Sequence, residues 1–176
     1  FLGADTGFGK RESLADFGRV LSQYVDAIVV RAFRHATVCE LAGHASCCVI
    51  NGLTDFAHPC QILTDLMTIR EHQGRLEGLR LAYLGDGRNN VTHSLLYGCA
   101  RTGVHIRVAC PAEADMAPDP GVVEAARALG EETGSAVEVV HEADAAAAGA
   151  DVVYTDSWMS YHVPEEEKEA RMRLLR

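Results

Sequence analysis

The sequence predicts an α/β fold, with parallel sheets carrying helices on both faces. Three observations predict it. Short Val-, Ile- and Leu-rich runs alternate with helical patterns almost throughout the 176 residues. The apolar share, 48%, is enough to bury a real core at that length. The strand-then-helix rhythm also restarts after Gly74 and Gly78, which bracket a linker.

The elements follow in order. Leu14, Phe17, Val20 and Leu21 recur at a helical period, and Ser13 is placed to cap that helix. Ala27 to Val30 reads as a buried strand, Thr37 to Ala45 as a helix, and Cys47 to Ile50 as a strand. A longer helix should open at Pro59, because proline suits the first helical position, and run to about His72. Leu79 to Leu84 is then a strand, Asn89 to Arg101 a helix stopped at Gly103, and His105 to Cys110 a strand. Pro118-Asp119-Pro120 signals the start of a helix over Val122 to Glu132. Ala136 to Val140 and Asp151 to Thr155 are strands on either side of a short helix over Ala143 to Ala148. Pro164 to Leu175 begins acidic and turns basic, which complements a helix dipole. Residues 1–58 supply only two strands and two helices, so they read as the C-terminal part of a larger domain. Residues 59–77 are a connecting helix and linker, and 78–176 a fuller second domain, incomplete at its C-terminus.

Composition excludes several classes. Sixteen basic against 25 acidic residues give a net charge of −9, unsuited to gripping a nucleic-acid backbone. No apolar run has the ~18–20 residues of a membrane span. The cysteines at 39, 47, 48, 60, 99 and 110 form no C-x-x-C pair. They read as reduced core or near-core thiols of a cytoplasmic protein rather than as a zinc or disulfide framework. The chain opens Phe-Leu-Gly, which reads as mid-sequence.

Ligands of open α/β sheets bind at the carboxyl ends of strands. Four clusters fall there. Arg31 ends the first strand, either as an ion-pair partner of a carboxylate such as Asp55 or as a ligand of an anion. His58 and Gln61, three apart at a helix start, can face an anion or a developing oxyanion there; the alternative is a plain cap and a solvated amide. Gly85-Asp86-Gly87-Arg88-Asn89-Asn90 departs from G-x-G-x-x-G, and no acid ends the next strand, which argues against a dinucleotide. One of Asn89 and Asn90 should cap the helix that follows, leaving amide recognition to the other. Asp156 could meet a substrate ammonium or simply cap a turn.

Taken in order, these segments resemble the ornithine branch of the aspartate/ornithine carbamoyltransferase family. The matching residues are Glu12-Ser13-Leu14-Ala15-Asp16, Val29-Val30-Arg31, Ile50-Asn51-Gly52-Leu53-Thr54-Asp55, His58-Pro59-Cys60-Gln61 and Leu63-Thr64-Asp65-Leu66. Gly85 to Asn90 and Tyr154-Thr155-Asp156-Ser157-Trp158 complete them. The N-G-L-T-D and H-P-x-Q segments are specific to carbamoyltransferases, and T-D-x-W-x-S points to ornithine. The resemblance implies the tail of a carbamoyl-phosphate domain joined by a helix to a Rossmann-like amino-acid-binding domain. It implies carbamoyl transfer from carbamoyl phosphate to the δ-amine of L-ornithine, giving citrulline, as in arginine biosynthesis or the urea cycle. It also implies a homotrimer with shared sites and no metal or organic cofactor. In its terms Arg31 and His58 are catalytic and, with Gln61, hold carbamoyl phosphate. Asn90, Asp156, Ser160 and Tyr161 hold ornithine.

The chain departs from the family pattern in three places. The family's S-x-R-T-R phosphate signature lies upstream of Phe1, and its H-C-L-P loop and late arginine lie beyond Arg176, so the chain reads as an internal fragment. Ser160-Tyr161-His162 stands where the family reads S-M-G. A different amine acceptor, or a non-catalytic fragment, are therefore the alternatives.

Overall fold

The computed structural model describes residues 12–113, 115–157 and 165–175. The chain divides into two compact units, the first ending at Cys60 and the second beginning at Gln61.

In the first unit, α1 (Leu14–Leu21), β1 (Ala27–Arg31), α2 (His35–His44) and β2 (Cys48–Leu53) alternate. Ser13 caps α1 as its sequence position predicts: its Oγ accepts from the Asp16 amide at 3.0 Å. The strands β1 and β2 pair in parallel, Ala27 opposite Cys48 through Val30 opposite Asn51. Ile28 and Val30 point from β1 into a core closed by Val38 and Leu41 of α2, with Phe17 and Leu21 of α1 against it. The other face carries Val29 and Ile50, cross-strand partners and both exposed. The α2 helix starts two residues before the predicted Thr37. The Asp55 carboxylate accepts from the His35 amide at 2.9 Å, satisfying a helix-start donor from 20 residues away. No local sequence pattern announces such a cap.

The long helix α3 (Pro59–Gln73) opens at Pro59, as predicted. The division between the units falls just inside it, after Cys60. Ile62, Leu66 and Ile69 are its buried positions.

The rest of the second unit follows as β3 (Arg80–Leu84), α4 (Asn90–Thr102), β4 (His105–Ala109), α5 (Pro120–Thr133), β5 (Val137–Val140), α6 (Ala143–Ala147) and β6 (Val152–Tyr154). A 3-10 turn (Glu165–Glu167) leads into α7 (Lys168–Leu174). The four strands form one all-parallel sheet in the order β5-β4-β3-β6. The strand β3 is central and apolar after Arg80, with Leu81, Ala82 and Tyr83 at most 1% exposed. Leu95, Leu96 and Cys99 of α4, with Ile106 and Val108 of β4, complete this core. The chain runs outward from β3 through β4 to β5, then crosses back to place β6 on the other side of β3. That reversal makes the carboxyl ends of β3 and β6 a topological switch point, where adjacent connections diverge and leave a crevice.

Among the described residues no helix is long and apolar enough to cross a membrane, and no group of His, Cys, Asp or Glu could hold a metal ion. All six cysteines are free thiols. The expectation that they are core or near-core needs correction: Cys39 and Cys48 are exposed, on the outer side of α2 and at the first position of β2, and only Cys99 and Cys110 are buried. Burial pushes the Cys99 thiol up to about 12 and that of Cys110 up to about 11, the latter helped by the charge of Asp86.

Two outcomes are expected. Alkylation near pH 8 should label Cys39 and Cys48 in the folded protein and reach Cys99 and Cys110 only in denaturant, as mass spectrometry of timed samples would show. Gly98→Ala should destabilise the protein although alanine is the better helix former by ~1 kcal/mol. A Cβ at Gly98 would collide with Ile62 of α3, and such overpacking costs about 1–3 kcal/mol, which urea unfolding would measure.

Candidate functional site

The candidate residues of the first unit sit at the carboxyl end of its small sheet. Arg31 is the last residue of β1 and is exposed. The pairing slips immediately before it: Val30 faces Asn51, but Arg31 faces Leu53, so Gly52 is bulged out. A bulge re-aims the side chain beside it. A Cβ on Gly52 would lie 3.2 Å from the Val30 carbonyl oxygen, so the bulge brings the two backbones close. Among the described residues no ion pair joins Arg31 to Asp55, whose carboxylate is committed to His35. The ion-pair reading of Arg31 with Asp55 is thereby set aside.

His58 stands half-buried immediately before Pro59. Thr54, wholly buried, builds the turn that carries it. The Thr54 amide donates to the Ala57 carbonyl at 2.9 Å, and Thr54 Oγ1 accepts from the Ala57 amide at 3.1 Å. His35 Nδ1 lies 3.0 Å from the same hydroxyl, and the His35 ring packs on Phe56 at 5.1 Å between centroids. The Asp55 amide donates to the Phe33 carbonyl at 2.7 Å, tying this turn to the segment that follows β1. The N-G-L-T-D segment is thus a bulge followed by a closed turn that delivers His58 to the helix start.

In the second unit the candidate residues border the switch point. Gln61 lies in the first turns of α3, half-buried, and its Nε2 donates to Asp65 Oδ1 at 2.9 Å. Gln61 is thus half-buried and bonded rather than lying fully in solvent. Asp65 Oδ2 accepts from the Tyr154 hydroxyl at 2.9 Å, so one carboxylate joins α3 to the end of β6. The Tyr154 and Tyr83 rings stack at 6.1 Å between centroids and 28° between planes.

The turn after β3 is organised by the Tyr83 hydroxyl. It donates to the Asp86 carbonyl at 3.0 Å and accepts from Asn89 Nδ2 at 2.8 Å. Asn89 is the residue that caps α4, its Oδ1 accepting from the Thr92 amide at 2.7 Å, which leaves Asn90 as the first residue of the helix. Gly85 takes φ +147°, which a side chain would resist. A Cβ at Gly87 would lie 2.7 Å from Pro118 Cδ and 2.8 Å from the Met116 carbonyl oxygen. The two glycines of the G-D-G turn therefore serve a tight reversal and close packing of the chain on itself. Asp86 is nearly buried and pairs with Arg171 of α7 at 2.9 Å, with the two side chains 10% and 16% exposed.

Asp156 follows β6 and is half-buried, beyond Thr155, whose hydroxyl donates to the Leu84 carbonyl at 2.8 Å. The charge of Asp156 reaches both tyrosines. Tyr83 is pushed up to about 12, chiefly by burial, with hydrogen bonds from Thr92 and Asn89 opposing and Asp156 and Asp86 adding. Tyr154 is raised as well, first by burial and then by its bond to Asp65. Both phenols stay protonated and act as fixed donors.

Gln61 is thus bonded through Asp65 to Tyr154, two residues before Asp156, and Asn90 follows the Asn89 that Tyr83 holds, while Arg31 and His58 belong to the first unit. Ser160 and Tyr161 lie outside the described residues. Sequence reasoning gave no role to Asp65, Tyr83, Tyr154 or Arg171. The i, i+4 spacing of Gln61 and Asp65 on a helix was a usable signal. The Asp86–Arg171 pair, 85 residues apart, gave none.

Comparison with known proteins identifies the architecture. The carbamoyl-P binding domain of aspartate/ornithine carbamoyltransferases matches residues 2–71, and the Asp/Orn binding domain of the same family matches residues 77–176. Ornithine carbamoyltransferase of Methanothermobacter thermautotrophicus is 50% identical over 173 residues, 98% of this chain and 56% of that protein. The solved ornithine carbamoyltransferase of Pyrococcus furiosus superposes with a TM-score of 0.89 at 43% identity, over 96% of this chain and 53% of that one. A solved N-acetyl-L-ornithine transcarbamylase superposes with a TM-score of 0.79 at 32% identity, over 93% of this chain and 56% of that one. The chain spans about half the length of the relatives it matches. With both domains of the family matched in order along nearly all of its residues, the chain belongs to the aspartate/ornithine carbamoyltransferase family.

Proposed function

We propose that the protein carrying this chain transfers the carbamoyl group of carbamoyl phosphate to the δ-amine of L-ornithine, giving L-citrulline and phosphate. The observation that carries the reading is identity along almost the whole chain with relatives named ornithine carbamoyltransferase.

The site residues suit this chemistry. Attack of an amine on the carbamoyl carbon puts negative charge on the carbonyl oxygen. In the proposal Arg31 and His58 meet that oxygen, each fixed donor lowering the barrier by about 3 kcal/mol. Gln61 receives the carbamoyl N–H, and Asn90, Asp156, Ser160 and Tyr161 take the amino-acid end of ornithine. An acid after β6 at the switch point suits an ammonium, and an amide beside it suits a carboxylate. The two bound substrates react directly, so positioning supplies much of the acceleration. A free alkylammonium has a pKa of ~10.4, so the site must select the neutral amine. The reading includes a cytoplasmic homotrimer with sites shared between subunits and no cofactor.

A second acceptor reading has a specific basis. Tyr161-His162 departs from the family's loop, and solved N-acetyl-L-ornithine transcarbamylases are among the structural neighbours. A panel of ornithine, putrescine and N-acetylornithine with carbamoyl phosphate separates the two readings. Ornithine should give the highest kcat/KM; preference for the acylated amine would replace it as substrate. In the protein at the full length of its relatives, His58→Ala should lower kcat about tenfold or more with circular dichroism unchanged. Unchanged turnover would remove His58 from the mechanism.

A further inference from the structure

The carboxylate between Gln61 and Tyr154 has a role beyond holding two elements together. The Gln61 amide turns its NH2 toward Asp65, Nε2 donating to Oδ1 at 2.9 Å. That fixes which end of the amide is left over: Oε1, an acceptor. The second carboxylate oxygen is occupied by the Tyr154 hydroxyl, also at 2.9 Å. Two donors from different elements thus hold the carboxylate from both sides, and Asp65 has little freedom to rotate and release the amide. Without Asp65 the Gln61 side chain could flip about its last torsion and present either end, since the two orientations fill the same space.

We propose that Asp65 is a positioning residue that locks the Gln61 amide with its acceptor oxygen toward the acyl donor, with Tyr154 holding Asp65 in turn. The inference rests on the proposed carbamoyl-transfer reading. An acceptor at that point favours an acyl group bearing N–H beside its carbonyl. It gives no such bond to an acyl group bearing a methyl in that place. Asp65 therefore contributes to the choice of carbamoyl phosphate over acetyl phosphate without touching either. The chain of contacts also ends near Asp156, because Tyr154 is two residues before it on the same strand exit.

The test uses the protein at the full length of its relatives. First, the unsubstituted protein is assayed for carbamoyl transfer to ornithine and the other amines of the panel. Failure with every amine overturns the reaction and this inference with it. Next, Asp65→Asn, Tyr154→Phe, Gln61→Ala and the Gln61→Ala/Asp65→Asn pair are compared. Asp65→Asn should raise KM for carbamoyl phosphate about tenfold, while inhibition by acetyl phosphate changes no more than about twofold. Tyr154→Phe, which keeps the carboxylate on Gln61, should give a smaller rise in the same direction. In the Gln61→Ala background, Asp65→Asn should add nothing further to KM, because the group it positions is gone. Equal weakening for both phosphates, or losses that add in the double variant, would show a purely structural role and overturn the proposal while leaving the reaction intact. Should Asp65→Asn fail to fold, the same comparison made with Tyr154→Phe, alone and on Gln61→Ala, decides the question.

Discussion

A buried phenol organises the second unit. Tyr83 sits on the central strand at 1% exposure, flanked by parallel neighbours on both sides. Its ring suits that core, but a buried hydroxyl without a partner would cost roughly 1–3 kcal/mol. The partners it finds are the Asp86 carbonyl and the Asn89 amide. Meeting them forces the chain to fold back tightly after β3, which is why Gly85 and Gly87 follow at once. It also places Asn89 where its remaining oxygen caps α4. Turn, cap and helix direction are consequences of one hydroxyl needing company. The candidate substrate residue Asn90 inherits its position from them.

Thr54 is the counterpart in the first unit. Its side chain is short, wholly buried and surrounded by groups that must be satisfied. The Ala57 amide and the His35 ring gather on it, and the turn that results ends at His58. In both units a polar side chain inside the core, rather than one on the surface, decides where a candidate site residue stands. Such residues are costly unless every bond is made, so they admit few alternative arrangements.

The sequence made the fold legible because its signals are local. Apolar runs such as Leu81 to Leu84 mark strands covered on both sides, and Pro59 and Gly103 mark helix ends at their own positions. Element ends were less legible where the stabilising partner is remote. The start of α2 depends on Asp55, and β2 runs on to Leu53 because it keeps pairing with β1 past Ile50. For the site, residue types and order were readable, and so was the capping role of one asparagine. The partners of those residues were not. Asp65 meets Tyr154 because β6 crosses back beside β3, and Arg171 meets Asp86 across 85 residues of sequence. Pairings of that kind exist only once the strand order is known.

One feature of the second unit links tasks usually treated as separate. Asp65 is bonded both to the Gln61 amide, which the proposal gives to the acyl donor, and to Tyr154, on a strand whose exit carries Asp156, which the proposal gives to the acceptor. On that proposal, reshaping the exit of β6 to alter the choice of amine would disturb the hold on the acyl donor as well. Libraries that vary residue 154 alongside 61 and 65 sample that dependence directly, whereas libraries confined to the acceptor loop inherit it as an unexamined constraint.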